Sequence, residues 1–387
     1  MRNPFKIIWA AFHGGGESVI GIDVGSSSIK VIQIRSKNGR AILETYGNLA
    51  LGPSASLSIG QATNLPAPKL NEALKDIITE SHVTTKKCGI AVSISSSLVS
   101  VIEMPAVSME QLAQMIPIEA RKYIPVPITE VSLDWSVIPN MGDKPELVKP
   151  PQPLADKTEV KNLSAPGEPK PIGKLEVLLV VIHNTAISKY KELVRSNALD
   201  PGFLEIEIFS TIRAALPDVS EPIVMFDMGA GTTKMYVVEN GIVRNSHVIN
   251  RGAQDITEAI SRAMSVSMDE AESLKRRFGM NINQDNKNIK QVLTASFSFI
   301  FAEAKKVIAN FEEKHKRVIK NAVLTGGGSN LIGLPEMLEM ELKIKASMAD
   351  PFSRVEAPAF MTAVLKEAGP EFNVAIGAAL RRLQELE

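Results

Sequence analysis

Apolar positions in this chain follow two periods. Short apolar runs at 18–22, 29–34, 223–226 and 234–238 are bounded by Gly, Ser and Asp, and predict strands. Helical spacing predicts helices over 69–81, 109–123, 184–199, 252–265, 268–277, 294–316 and 373–386, with 331–342 as a further helical stretch. Ser108 with Gln111 three residues on is a capping-box pair opening the second helix, and Pro117 inside it predicts a kink or break. Further strands are expected over 90–94, 99–104, 131–138, 175–182 and 203–209. The last reads Phe203-Leu204-Glu205-Ile206-Glu207-Ile208-Phe209, which as a strand puts both glutamates on one face.

Two of the strand–turn–strand units carry the same phrase. Asp23-Val24-Gly25-Ser26-Ser27-Ser28-Ile29-Lys30 and Asp227-Met228-Gly229-Ala230-Gly231-Thr232-Thr233-Lys234 both read D-x-G-x-x-[ST]-x-K. Glycine lets a turn bring backbone N–H groups close to an anion. Ser and Thr hydroxyls add donors for phosphate oxygens. An Asp at a strand end suits hydrated Mg²⁺, which takes one or two carboxylates plus phosphates. One such turn is ordinary; two in matching order suggest a duplicated fold that grips a nucleotide from both sides. A third cluster, Gly326-Gly327-Gly328-Ser329, stands between a predicted strand at 321–325 and the helical stretch that follows. It suits either a plain loop or the close approach of a flat ligand.

Composition narrows the classes. The chain has 387 residues, enough for two domains, with 43 basic and 43 acidic side chains. That balance gives no support to general nucleic-acid binding. Cys88 is the single cysteine, so no intrachain disulfide is available. No apolar run approaches the ~20 residues of a membrane-spanning helix. The five histidines show no metal-ligand spacing. Phe5, Ile8, Trp9 and Phe12 recur at helical spacing, readable as an interfacial anchor or as a segment lying on its own domain. The stretch 139–173 carries eight prolines and reads as a long polar loop.

In their order, the two hairpins and the glycine cluster resemble the actin-like ATPases. Ile118-Glu119-Ala120-Arg121-Lys122-Tyr123-Ile124-Pro125, the strand pair spanning 90–105, and Asn250-Arg251-Gly252-Ala253-Gln254-Asp255 resemble its PilM/FtsA branch, PilM most nearly. The resemblance covers about 18–383. It implies an α/β, actin-like (ribonuclease-H-like) duplicated two-domain ATPase fold with a small inserted α+β subdomain. The implied division is an N-terminal segment 1–17, domain I over 18–88, 184–220 and 326–387, the insertion over 89–183, and domain II over 221–325.

It further implies ATP and Mg²⁺ as cofactors, with Asp23 and Asp227 flanking the metal. Gly25, Ser26, Ser27, Ser28 and Lys30 would cradle phosphates from one side, and Gly229, Gly231, Thr232, Thr233 and Lys234 from the other. Glu272 and Lys275 would reach ribose and base, with Gly326, Gly327, Gly328 and Ser329 closing over the nucleoside. As plain residues, Glu272 and Lys275 also read as a surface ion pair. Glu205 and Glu207 are both candidates to orient a hydrolytic water, with turnover slow or absent. The implied function is a cytoplasmic scaffold of type IV pilus assembly, peripheral at the inner membrane. Its partners would be the N-terminal peptide of a PilN-like single-span membrane protein, pilus motor or platform proteins, and a further copy of itself. Arg121, Tyr123, Ile124, Pro125 and Val126 would lie near the peptide groove, or would be subdomain core. An FtsA-like filament protein and a small-molecule kinase are the other readings of the same fold.

Overall fold

The computed structural model describes residues 16–138, 173–216, 220–280 and 287–386. The N-terminal stretch 1–15 and almost all of the Pro-rich stretch 139–173 fall outside them. The chain begins with β1 (Ser18–Val24), β2 (Ser28–Lys37), β3 (Arg40–Ala50), α1 (Ala67–Glu80) and β4 (Lys87–Val92). It leaves this unit for β5 (Ser97–Pro105), α2 (Met109–Ala120), β6 (Val131–Ile138) and β7 (Lys174–His183). It returns through α3 (Asn184–Ser196), β8 (Asp200–Ile206) and α4 (Glu207–Ala215). The second half runs β9 (Ile223–Met228), β10 (Thr233–Glu239), β11 (Ile242–Ile249), α5 (Ala253–Met264), α6 (Met268–Phe278) and α7 (Lys287–His315). It ends with β12 (Asn321–Thr325), α8 (Leu334–Leu342), β13 (Lys345–Met348) and the closing helix α9 (Thr362–Gln384).

The two large sheets, the centres of lobe I and lobe II, repeat one topology. Their orders are β3-β2-β1-β4-β8 and β11-β10-β9-β12-β13. In each, the first three strands pair antiparallel and the last two join parallel. Central strands β1 and β9 are apolar on both faces because helices cover both faces of their sheets. The helix α9 comes from the far end of the sequence yet lies in lobe I, where Ala375, Ile376 and Ala379 pack with Val19, Ile32 and Ile34. It also crosses α4 so closely that a Cβ at Gly377 would stand 1.9 Å from the Ser210 carbonyl oxygen. Only glycine permits that approach.

The insertion folds as a three-stranded antiparallel sheet, β5-β7-β6, with α2 across one face. The capping box at Ser108 and Gln111 is formed, and α2 carries Pro117 without breaking. Ile124 is core here, Val126 is half-buried against it, and Arg121 and Tyr123 are exposed. The other face of β7 (Leu178, Val180, Ile182) packs against the buried cluster that holds Val99, Ile208, Ile212 and Tyr236. Arg244 of β11 is buried between Glu176 of β7 and Glu239 of β10, so the insertion is tied to lobe II as well. No helix among the described residues is long and apolar enough to cross a membrane.

Four elements depart from the pattern-based expectation. The run 203–209 is a strand only to Ile206 and a helix from Glu207, because burial on both sides hides the change of period. The closing helix begins at Thr362, well before 373, running through Gly369-Pro370 instead of starting after them. The Pro370 carbonyl accepts from Gly326 N–H and Thr325 Oγ1, which ties this helix to the bend. The stretch 331–342 is helical only from Leu334, since Gly333 sits at φ +79° and cannot continue a helix backwards. The helix expected over 294–316 already runs from Lys287 to His315.

Candidate functional site

Both D-x-G phrases fold into the same turn. Gly25 N–H donates to Ser28 O at 3.0 Å, and Gly229 N–H to Thr232 O at 2.9 Å. Cross-strand register sets Asp23 opposite Lys30 and Asp227 opposite Lys234, on the same face of each hairpin. The two turns face one another across a cleft of about 1630 Å³ between the lobes. They come close: a Cβ at Gly231 would lie 3.8 Å from Ser26 Oγ. Ala62 N–H donates to Gln254 Oε1 at 2.7 Å, another tie across the seam. The first turn of α5 backs the second hairpin, with Ala253 N–H and Gln254 N–H donating to Gly229 O and Ala230 O.

Three buried carboxylates, Asp23, Asp227 and Glu207, and two lysines line the cleft floor. Burial pushes the Asp23 carboxyl up to about 6, with Glu207 and Asp227 adding to the rise and Lys30 and Lys234 opposing it. Lys30 and Lys234 are the cations beside it, and a further cation bound there would bring the carboxyl down again. For Lys234, burial favours the neutral amine, but Asp227 and Glu207 outweigh it and hold the ammonium well above the ordinary lysine range. Among the described residues no group of three or more His, Cys, Asp or Glu is arranged to hold a metal. A divalent cation here would therefore rest on one or two carboxylates and on a ligand's own oxygens, which suits Mg²⁺.

The opposite wall is built by α6 and the 326–328 bend. Lys275 is buried and donates to Thr257 Oγ1 at 2.8 Å and Ala253 O at 3.1 Å, while pairing with Glu272 at 2.6 Å. Burial lowers the Lys275 ammonium below its usual range, against the pull of Glu272. Burial alone would raise the Glu272 carboxyl, but Lys275, Thr257 and Arg276 together bring it below the usual range. Gly326 sits at φ +81°, and a Cβ there would stand 2.5 Å from Asp227 Oδ1. Glycine is thus required twice over, by backbone angle and by the approach to the second hairpin.

Most of the sequence candidates converge on this cleft. Asp23, Gly25, Ser26, Ser27, Ser28, Lys30, Asp227, Gly229, Gly231, Thr232 and Lys234 line it, as do Glu207, Glu272, Lys275, Gly326, Gly327 and Gly328. Three others lie behind the wall. Thr233 alternates to the far face of β10 and donates to Arg251 O at 2.8 Å. Ser329 is buried and donates to Gly326 O at 2.6 Å, fixing the bend. Glu205 accepts from Ser210 and pairs with Arg213 and Arg381 beneath α4 and α9. Burial opposes its charge, yet these three partners hold its carboxyl below the usual range. Glu371 and Asn48 also line the cleft, joined by a 3.1 Å hydrogen bond, and no sequence pattern marks either. Arg276, which the sequence reading does not single out, pairs with Glu272 at 2.7 Å on the cleft wall.

Comparison with known proteins adds kinship. A family model described as type IV pilus assembly protein PilM matches residues 21–151 and 164–383. Cell division protein FtsA of Neisseria meningitidis serogroup B is 24% identical over 385 aligned residues, covering 89% of this chain and 87% of that protein. FtsA of Buchnera aphidicola is 25% identical over 173 residues, and that match spans 36% of this chain and 41% of the relative. Among solved structures, a PilM-PilN type IV pilus biogenesis complex aligns with a TM-score of 0.74 at 22% identity, covering 94% of this chain and 98% of that one. MreB5 of Spiroplasma citri bound to AMPPNP aligns with a TM-score of 0.53 at 11% identity, covering 96% and 98%. At these identities the solved structures speak for the fold, which is that of the actin-like ATPases.

Proposed function

Since the chain belongs to the type IV pilus assembly protein PilM family, we propose that it is an ATP-binding scaffold of pilus assembly whose cleft is the nucleotide site. The reading rests above all on two identical turns, each with Asp and Lys in the same register, opposed across one cleft. In this reading Asp23 and Asp227 hold a Mg²⁺, which neutralises phosphate charge when bound. The turns at 25–28 and 229–232, with Lys30 and Lys234, hold the polyphosphate. Glu272, Lys275 and the bend at 326–328 receive the nucleoside. Thr233 and Ser329 support the walls from behind. Glu207, in the cleft, is the better placed of the two glutamates to orient a water, and Glu205 belongs to the α4–α9 joint. Turnover is slow or absent.

The domain division follows the same reading, with domain I over 18–88, 184–220 and 326–387, an insertion over 89–183, and domain II over 221–325, except that α8 and β13 join the core and the sheet of domain II. The partner is the N-terminal peptide of a PilN-like single-span membrane protein. It would be received beside the insertion, where Arg121 and Tyr123 are exposed, and would bring the chain to the inner membrane together with pilus motor or platform proteins. The second reading is an FtsA-like membrane-associated filament protein of cell division, supported by the length over which cell division protein FtsA of Neisseria meningitidis aligns.

Calorimetric titration of the full chain with PilN-like N-terminal peptides, with and without Mg-ATP, tests both. Saturable peptide binding whose affinity changes with nucleotide supports the scaffold. No peptide binding in either state, with nucleotide-dependent pelleting, favours the filament. Asp227→Ala is expected to abolish Mg-ATP binding, and an unchanged affinity would sink the assignment of the cleft.

A further inference from the structure

The two hairpins match in register, but their lysines are engaged differently. Lys30 Nζ reaches its own hairpin, donating to Ser28 Oγ at 2.8 Å. Lys234 Nζ crosses the seam between lobes and donates to Glu207 Oε2 at 2.7 Å, with Asp227 Oδ2 at 3.2 Å. The other oxygen of Glu207 accepts from Ile94 N–H at 2.7 Å and from Ser93 Oγ at 3.2 Å. The side chains of Lys234, Glu207 and Asp227 are 12%, 7% and 8% exposed. Glu207 therefore spends both oxygens on lobe I and on this one lysine. Lys234 already answers two carboxylates.

Glu272, Lys275 and the bend at 326–328 line the cleft together with Lys234, Glu207 and Ser93. In the nucleotide reading the base lies at the first three and the terminal phosphoryl group reaches Lys234. A terminal phosphoryl group carries more charge than a carboxylate and binds an ammonium as a strong charge-assisted partner.

We propose that the Glu207–Lys234 ion pair makes the cleft discriminate a nucleoside triphosphate from a diphosphate. The third phosphoryl group takes Lys234 from Glu207, whereas a diphosphate, one group shorter, leaves the pair intact. Glu207 is then the competitor that sets the preference, and is released as an unpaired acceptor at the cleft floor only in the triphosphate state. The inference rests on the nucleotide reading of the cleft.

The partners of one ion pair should then act in opposite directions. The affinities of the full chain for ADP and for the imido analogue of ATP are measured with Mg²⁺ for the native protein, Glu207→Gln and Lys234→Met. Glu207→Gln is expected to raise the triphosphate preference by about tenfold, the worth of one charge-assisted hydrogen bond. Lys234→Met is expected to abolish that preference. A purely structural pair would weaken both nucleotides alike and leave the ratio where it was. If Lys234→Met does not fold, the isosteric Glu207→Gln decides alone: a higher ratio supports the proposal, and an unchanged or lower one overturns it. A native chain that binds neither nucleotide overturns the reading of the cleft itself.

Discussion

At the scale of single residues, two buried acids make opposite predictions. Asp23 has its carboxyl raised to about 6 from 3.8, mainly by burial. Between about pH 4 and 6 the folded chain holds a proton that the unfolded chain has released, so on this group's account stability falls as pH rises and is lowest above about 6. Asp23→Asn is therefore expected to raise the melting temperature of the ligand-free protein at pH 8, by at most about 3 kcal/mol of stability, and to do little at pH 4. The same variant should lose Mg-dependent nucleotide binding. Melts at the two pH values check the sign; a fall in stability at pH 8 would contradict it. Glu205 is the reverse case, since Arg213 and Arg381 need its charge. Glu205→Gln leaves both guanidinium groups without a carboxylate and is expected to cost about 3 kcal/mol. Nucleotide affinity of the folded fraction should hold within about twofold, because Glu205 lies behind the cleft wall. Denaturant melts and titration read the two effects separately. In sequence the two glutamates looked equivalent; the change from strand to helix at Glu207 is what sends one into the cleft and the other under α9.

At the scale of elements, the joint between α4 and α9 ties the closing helix to the middle of the chain. Its closeness depends on Gly377, whose missing Cβ makes room for the Ser210 carbonyl. Gly377→Ala would gain helix propensity of ~1 kcal/mol in an open helix. Here it must push α4 away, and net destabilisation of about 1–3 kcal/mol is expected from overpacking. A higher melting temperature in this variant would show that the crossing yields freely. The hairpins were readable in sequence because turn, register and facing residues all lie within eight positions of one another. The closing helix was not, because Gly369-Pro370 reads locally as a stop while the carbonyl beside it is captured by the bend at Gly326 from elsewhere in the chain.

For the whole molecule, the two lobes share an apolar cluster in which Ile206, Ile208 and Ile212 lie with Met225, Tyr236 and Val238, and a few polar contacts add to it. Lys234–Glu207 and Ala62–Gln254 join them at the cleft, and Arg244 joins lobe II to the insertion. The insertion's own sheet closes without the stretch 139–173, since Ile138 of β6 already pairs with Glu176 of β7. Replacing 139–173 by a short Gly-Ser bridge is accordingly expected to leave a single cooperative melt and unchanged nucleotide affinity. Loss of cooperative unfolding would show that the stretch carries structure. What the sequence by itself determined was the duplicated turn, its glycines, the register of Asp against Lys and the α2 cap, because each is decided by neighbours along the chain. What only the tertiary structure decided was which acids face the cleft and which partner each lysine takes. Glu207 and Lys234 lie 27 positions apart on different lobes, and Asn48 and Glu371 lie 323 apart. Desolvation and charge pairing between such residues act only once the fold has brought them to the same cleft.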